Sequence, residues 1–195
     1  CERLQKVVER QPDDYETLIE IAQTLEATNA KQSLLYYTRA VKVIEEQRER
    51  LGIMVPAELW NNIGALRYKL QFYEEAEKAF QKAIQTGDPV GHNYFHPDNI
   101  TTTYNLARLY EKLHMIEKAQ GLYESILSHF PTYTDCLLRL GWIAQSKGDV
   151  KTAISLYEKC DEVSNQTQKP PAKRSLDALT MLANLQAERG DWNKA

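Results

Sequence analysis

One spaced string of residues occurs twice in this chain and leaves few folds open to it. Trp60, Ile63 and Gly64 are followed by Ala76, Phe80 and Ala83; further on, Leu137, Leu140 and Gly141 are followed by Ala153, Tyr157 and Cys160 at the same spacing. Each copy reads as two helices joined by a turn. Its small residues stand where the paired helices touch, and its large apolar residues fill the space between pairs. Such a unit is about 34 residues long and cannot bury its apolar face alone, so units must stack on one another. With 195 residues, the chain has room for several of them. Binding, and not catalysis, is the function expected of such a stack.

The pattern resembles the tetratricopeptide repeat (TPR), which implies an all-α fold, a right-handed superhelical TPR solenoid with a concave binding face. In a numbering from one to thirty-four, small residues stand at eight, twenty and twenty-seven. Position one then falls at Tyr15, Ala57, Ile100, Thr134 and Leu176. The first unit carries Leu18, Ile21 and Ala22, then Ser33, Tyr37 and Ala40, with one residue missing from its turn. The third carries Leu106, Ala107 and Tyr110, then Ala119 and Tyr123. The whole of 1–195 is expected to be one array: the end of a repeat at 1–14, repeats starting near 15, 57, 100 and 134, and the first part of another at 176–195. Both ends would fall inside a second helix without a polar cap, so a segment of a longer array is expected, with about ten helices or part-helices.

The starts lie 42, 43, 34 and 42 residues apart, and each excess over the standard period follows a second helix. VKVIEEQRERLGIMVP, after Ala40, predicts a prolonged helix with a solvated charged end, where Glu46 and Arg50 stand at i,i+4. IQTGDPVGHNYFHPDN, after Ala83, holds the Gly and Pro of irregular structure. DEVSNQTQKPPAKRS, after Cys160, is polar and Pro-interrupted, which makes 161–175 the stretch most open to disorder and leaves its order undecided by sequence. Insertions that share one place in the repeat emerge on one rim.

Little here points to chemistry. Charged residues make up 26% with a net charge of −3 and interspersed signs, without the basic excess of a nucleic-acid binder. No apolar run reaches the roughly 18–20 residues that span a bilayer, and CERLQKVVERQ lacks the apolar core of a signal peptide. Three unpatterned cysteines, Cys1, Cys136 and Cys160, argue for a reducing compartment. Cys160 falls at a small packing position and Cys136 near the start of a first helix. His92 and His96 stand four apart but in a loop, without the helix that would align them on a metal, and read as exposed loop histidines. His114 falls in a turn and His129 near a helix end, where a cation suits the dipole. Lys169, Lys173 and Arg174 read as a solvated linker, with a localisation signal or an acidic contact as the alternative. No catalytic residue, metal or cofactor is expected.

Tyr37, Phe80, Tyr123 and Tyr157 all fall at position twenty-four and Tyr110 at eleven, positions of core packing. Other residues fall where first helices of this kind face a groove: Asn62, Asn105 and Arg139 at six, Tyr104 at five, Arg108 and Trp142 at nine, Tyr68 at twelve. Amides can satisfy a bound peptide backbone, and rings with guanidinium groups are the usual hot spots. The same residues would serve equally as solvated helix positions or as contacts of a neighbouring inserted loop. The clamp by which chaperone-binding TPR domains hold a C-terminal carboxylate is absent: Ile19, Gln23, Asn61 and Ala65 stand where it needs Lys and Asn.

Beyond the repeat pattern, PDDYETLIEIAQTLEAT, LWNNIGALRYKL, TTTYNLARLYE and PTYTDCLLRLGWIAQSKGD follow in order through most of 5–160. Together they resemble the TPR scaffold subunit of the RNA polymerase II-associated factor (PAF) complex. Asn61-Asn62-x-Gly64-Ala65-Leu66 and Tyr104-Asn105-Leu106-Ala107-Arg108-Leu109 carry most of that likeness, because the repeat pattern does not dictate them. The loops GDPVGHNYFHPDN and NQTQKPPAKR depart from it. The resemblance implies a nuclear, non-enzymatic scaffold that joins PAF-complex subunits, chiefly the one that names the complex, and supports RNA polymerase II elongation and co-transcriptional histone modification. It implies neither direct nucleic-acid nor membrane contact. The rival classes are a TPR arm of an enzyme such as a protein glycosyltransferase, and a scaffold subunit of another assembly such as a ubiquitin ligase.

Overall fold

The computed structural model describes residues 13–87, 99–167 and 173–188, and among them nine α-helices and no strand. In chain order these are α1 (Tyr15–Leu25), α2 (Ala30–Leu51), α3 (Ala57–Lys69), α4 (Tyr73–Gly87), α5 (Ile100–Lys112), α6 (Ile116–His129), α7 (Thr134–Ser146), α8 (Val150–Thr167) and α9 (Lys173–Glu188). The chain divides into two compact units, Cys1–Leu109 and Tyr110–Ala195. In the first, α1 packs on α2, α2 on α3 and α3 on α4; in the second, α6 packs on α7, α7 on α8, and α9 on both α7 and α8.

Local chemistry sets the helix ends. Asp14 caps α1, accepting from the Thr17 N–H at 3.4 Å and the Thr17 hydroxyl at 2.6 Å, and Asn29 caps α2 through the Gln32 N–H. Three of the turns between paired helices share one device. Gln71, His114 and Gly148 sit at φ 67°, 59° and 81°. The next N–H reaches back five residues in each: Phe72 to Arg67, Met115 to Tyr110 and Asp149 to Ala144, at 2.8–2.9 Å. A left-handed residue closing a helix in this way satisfies carbonyls that the helix leaves open.

The four aromatic residues at position twenty-four are buried, each at 1% exposure or less, and Tyr110 joins them. Glycine is needed where two of these rings lie. A Cβ on Gly64 would stand 2.6 Å from the Phe80 ring, and one on Gly141 would stand 2.4 Å from the Tyr157 ring. In the first unit, described core residues gather around Ala22, Tyr37, Ile44 and Ile63, and around Leu18, Ile21 and Ala40. The second unit gathers Ala153, Tyr157 and Leu185 in one cluster, and Leu137, Cys160 and Ala178 in another.

Two of the connections can be followed. The helix expected beyond Ala40 runs to Leu51 and closes at Gly52 with φ 66°; its exposed ion pair is Lys42 with Glu46 at 3.6 Å. Of the stretch most open to disorder, 161–175, residues 161–167 continue α8 and 173–175 lie in α9, while 168–172 lie outside the described residues. Ser164 is buried and returns its hydroxyl to the Cys160 carbonyl at 2.8 Å, so a residue counted as polar loop fits inside a helix. Residues 1–12, 88–98, 168–172 and 189–195, with Cys1, His92, His96 and Lys169, lie outside the described residues.

Candidate functional site

All seven candidate groove residues lie on the first helices of repeats. In the first unit, Asn62 on α3 is half-buried and donates its amide to the Tyr37 hydroxyl at 3.4 Å, while that hydroxyl donates to Glu26. Asn105 on α5 donates to the Asn61 side-chain oxygen at 3.0 Å. Arg108 reaches the Tyr104 hydroxyl at 3.5 Å, and Tyr68 sets its ring 6.0 Å from that of Tyr73 at 59°. In the second unit, Arg139 on α7 grips the Glu111 carboxylate through both faces of its fork, with Nε 3.0 Å from one oxygen and a terminal nitrogen on the other. The Tyr123 hydroxyl donates to the same carboxylate at 3.0 Å. Arg139 also lies 5.2 Å from the centre of the Trp142 ring, which is 40% exposed.

Asn62, Asn105 and Arg139 thus have partners within the fold. A rule joins two of them that the residue spacing did not reveal. Glu26, Glu111 and Gln145 stand at position twelve, and each accepts from the buried tyrosine at position twenty-four: Tyr37, Tyr123 and Tyr157. Where position twenty-four is Phe80, with no hydroxyl to satisfy, position twelve is Tyr68. The signal was legible as a pairing of acceptor with tyrosine across repeats. Burial pushes the Tyr37 hydroxyl well above its ordinary pKa of 10.0, and the Glu26 carboxylate adds to that. Tyr157 is raised by burial too, while the charge on Arg139 pulls the other way.

The described cysteines are buried, and the described histidines stand at or just beyond helix ends. Burial raises the Cys136 thiol, with Asp135 adding to it, and Cys160 is fully buried with its sulfur 3.7 Å from the Thr134 carbonyl. His114 occupies a turn and His129 ends α6, where its ring meets the Ser125 carbonyl and the Ser128 hydroxyl. Among the described residues no group of His, Cys, Asp and Glu could hold a metal ion, and no helix is long and apolar enough to cross a membrane.

Two clefts repeat at one place in the repeat, and neither is lined by a candidate groove residue. The first, about 500 Å³, lies between α2 and α4 and is floored by Trp60 and Ile63 of α3. The second, about 470 Å³, lies between α6 and α8 and is floored by Leu140 and Ile143 of α7. Both open between successive second helices. They lie away from the first-helix positions of the candidate groove.

The chain is similar to known proteins in its repeats and in its fold. Models of the tetratricopeptide repeat match residues 56–131 and 134–167. Protein CTR9 homolog of Arabidopsis thaliana is 27% identical over 226 residues, covering 100% of this chain and 20% of its own length. RNA polymerase-associated protein CTR9 of Caenorhabditis elegans is 31% identical over 195 residues, covering 94% of this chain and 16% of its own length. The chain therefore spans a fifth or less of the length of these curated relatives. Among solved structures, BtubC (BKLC) from P. vanneervenii has a TM-score of 0.76 at 16% identity, covering 100% of this chain and 82% of that one; at that identity the likeness speaks of fold alone.

Proposed function

The chain belongs to the tetratricopeptide-repeat family, and from that premise we propose that it is a non-enzymatic scaffold for protein partners in a nuclear, RNA polymerase II-associated assembly of the PAF type. The observation that carries this reading is the similarity to the worm RNA polymerase-associated protein CTR9 along 94% of the chain. The partners are subunits of that complex, chiefly the one that names it, with the polymerase reached indirectly and with elongation and histone modification supported through the assembly.

On this reading the first-helix residues bear the partner. Trp142, braced by Arg139, and Tyr104 with Arg108 are aromatic and guanidinium groups of the kind that dominate interfaces. Asn62, Asn105 and Tyr68 stand with Tyr104 and Arg108 on first helices of the first unit, the two amides held in place by their own hydrogen bonds. Affinity capture from nuclear extract with the tagged chain, followed by mass spectrometry, tests the assembly. Recovery of PAF-complex subunits is expected; recovery of ubiquitin-ligase subunits, or of a glycosyltransferase's substrates, would replace this reading with one of its rivals. For the face itself, Trp142→Ala is expected to weaken capture of the PAF-named subunit by at least ~2 kcal/mol with helical circular dichroism unchanged.

A further inference from the structure

The cleft between α2 and α4 differs from its counterpart in charge and in floor. Five cations line it and the recess that continues from it: Lys42, Arg48, Arg67, Lys78 and Lys82, against Glu45 and Glu75. Lys42 also pairs with Glu46 at 3.6 Å, and Arg67 donates to the Glu75 backbone carbonyl at 3.1 Å. The recess, about 190 Å³, shares Glu45, Trp60 and Lys82 with the cleft and is walled by Ile53, Met54 and Val55. Those three residues follow the prolonged end of α2, so the insertion after Ala40 builds one wall of the surface. Met54 is 55% exposed. Trp60 is half-buried, with the Lys82 ammonium 4.2 Å from the centre of its ring. The other cleft has Lys147 against Glu124 and Asp149. Its own polar groups bridge it: Lys147 donates to Gln120 at 2.7 Å, and Gln120 to Glu124 at 2.7 Å.

We propose that the α2–α4 cleft, with its recess, is a docking site for an acidic amphipathic helix of a protein partner. A trough between two helices floored by a third accepts another helix by interdigitating side chains. The apolar stripe of that helix would lie on Trp60 and Met54, and its carboxylates would meet Lys78, Lys82 and Arg67. The cationic excess selects the sign of the partner, because like charges brought together at a contact are strongly disfavoured. The chain as a whole carries −3, so a local positive excess is a property of this surface and not of the molecule. The site uses second helices and a connection, so it goes beyond the first-helix face argued above.

Two fluorescein-labelled synthetic helices of about 14 residues, roughly four turns, test it. They share one leucine stripe, and their other face is all Glu in the first and all Lys in the second. Anisotropy titration with the intact chain is expected to give saturable binding of the Glu peptide, with the Lys peptide at least tenfold weaker. Lys78→Glu with Lys82→Glu, both on the exposed face of α4, should reverse that order. Lys147→Glu in the other cleft should leave it unchanged. Equal binding of the two peptides, binding of neither, or a preference unmoved by the α4 double substitution would overturn the proposal. The reversed preference is itself a gain of binding, which a merely misfolded variant would not produce. Failure here would leave capture of PAF-complex subunits by the first-helix face untouched, so the two readings fail separately.

Discussion

The two units solve one packing problem with different chemistry. Each buries a tyrosine at position twenty-four whose hydroxyl must find a partner, because an unpaired buried hydroxyl is costly. Each uses position twelve as the acceptor and lets position six of the following repeat reach into the pair. In the first unit that residue is Asn62, an amide on a 3.4 Å bond to the Tyr37 hydroxyl. In the second it is Arg139, a guanidinium forked onto Glu111. The lesson is that the repeat fixes where a polar bridge stands and leaves open whether it is neutral or ionic. The ionic version couples its residues more tightly. Glu111 is only 8% exposed, and a buried carboxylate left without its cation is destabilising by several kcal/mol, even where the intact pair adds little.

The largest expected effect follows from that asymmetry. Arg139→Ala should cost about 3 kcal/mol in urea unfolding, because it takes the cation from Glu111 and leaves the carboxylate with the Tyr123 hydroxyl. A loss below ~1 kcal/mol would mean that water or another donor satisfies the carboxylate and that the two bridges are equivalent.

Next come the glycines, where the units should agree. Gly64→Ala and Gly141→Ala each press a methyl into a buried ring and should each cost about 2 kcal/mol. Thermal melts showing one tolerated and the other not would break the equivalence of the two ring sites.

Alkaline pH separates the tyrosines. A hydroxyl whose pKa is raised by folding keeps its proton longer in the folded state. Its stabilising contribution is therefore whole below pH 10.0, its ordinary value, and is lost as pH rises beyond it, by up to about 1.4 kcal/mol per pH unit. Tyr37→Phe should flatten the alkaline loss of stability more than Tyr157→Phe, since the Arg139 charge opposes the rise at Tyr157. Equal slopes in the two variants would sink the distinction.

The smallest expected effect is Asn62→Ala, at about 0.5–1 kcal/mol, the worth of a neutral hydrogen bond. The Tyr37 hydroxyl retains Glu26 in that variant. A cost matching that of Arg139→Ala would show that charge is not what distinguishes the bridges.

Much of this molecule could be read before its structure. The spacing of Gly64 with Phe80 and of Gly141 with Tyr157 announced paired helices, and the rings do lie against those glycines. The burial of Tyr37, Tyr123 and Cys160 was legible for the same reason. The candidate groove residues were found by register, and register says which helix face a residue stands on. It does not say what stands opposite, so the engagement of Asn62 by Tyr37 and of Arg139 by Glu111 could not be read from spacing. The helical course of 161–167 could not be read from composition, which counts Ser164 as polar and cannot see its hydroxyl folded back onto the helix.

The amino-acid sequence by itself determined the helix-turn-helix repeat, the places where only small residues fit and the rings that fill the core. Those follow from periodicity and volume, which are local properties of a chain. Tertiary structure alone decided which polar side chains spend themselves on the fold, and where a cleft opens between second helices with cations on its walls. The bridges from position six join residues 25 or more positions apart, Asn62 with Tyr37 and Arg139 with Glu111. Packing of one repeat on the next brings those residues together, and spacing within a repeat carries no record of that meeting.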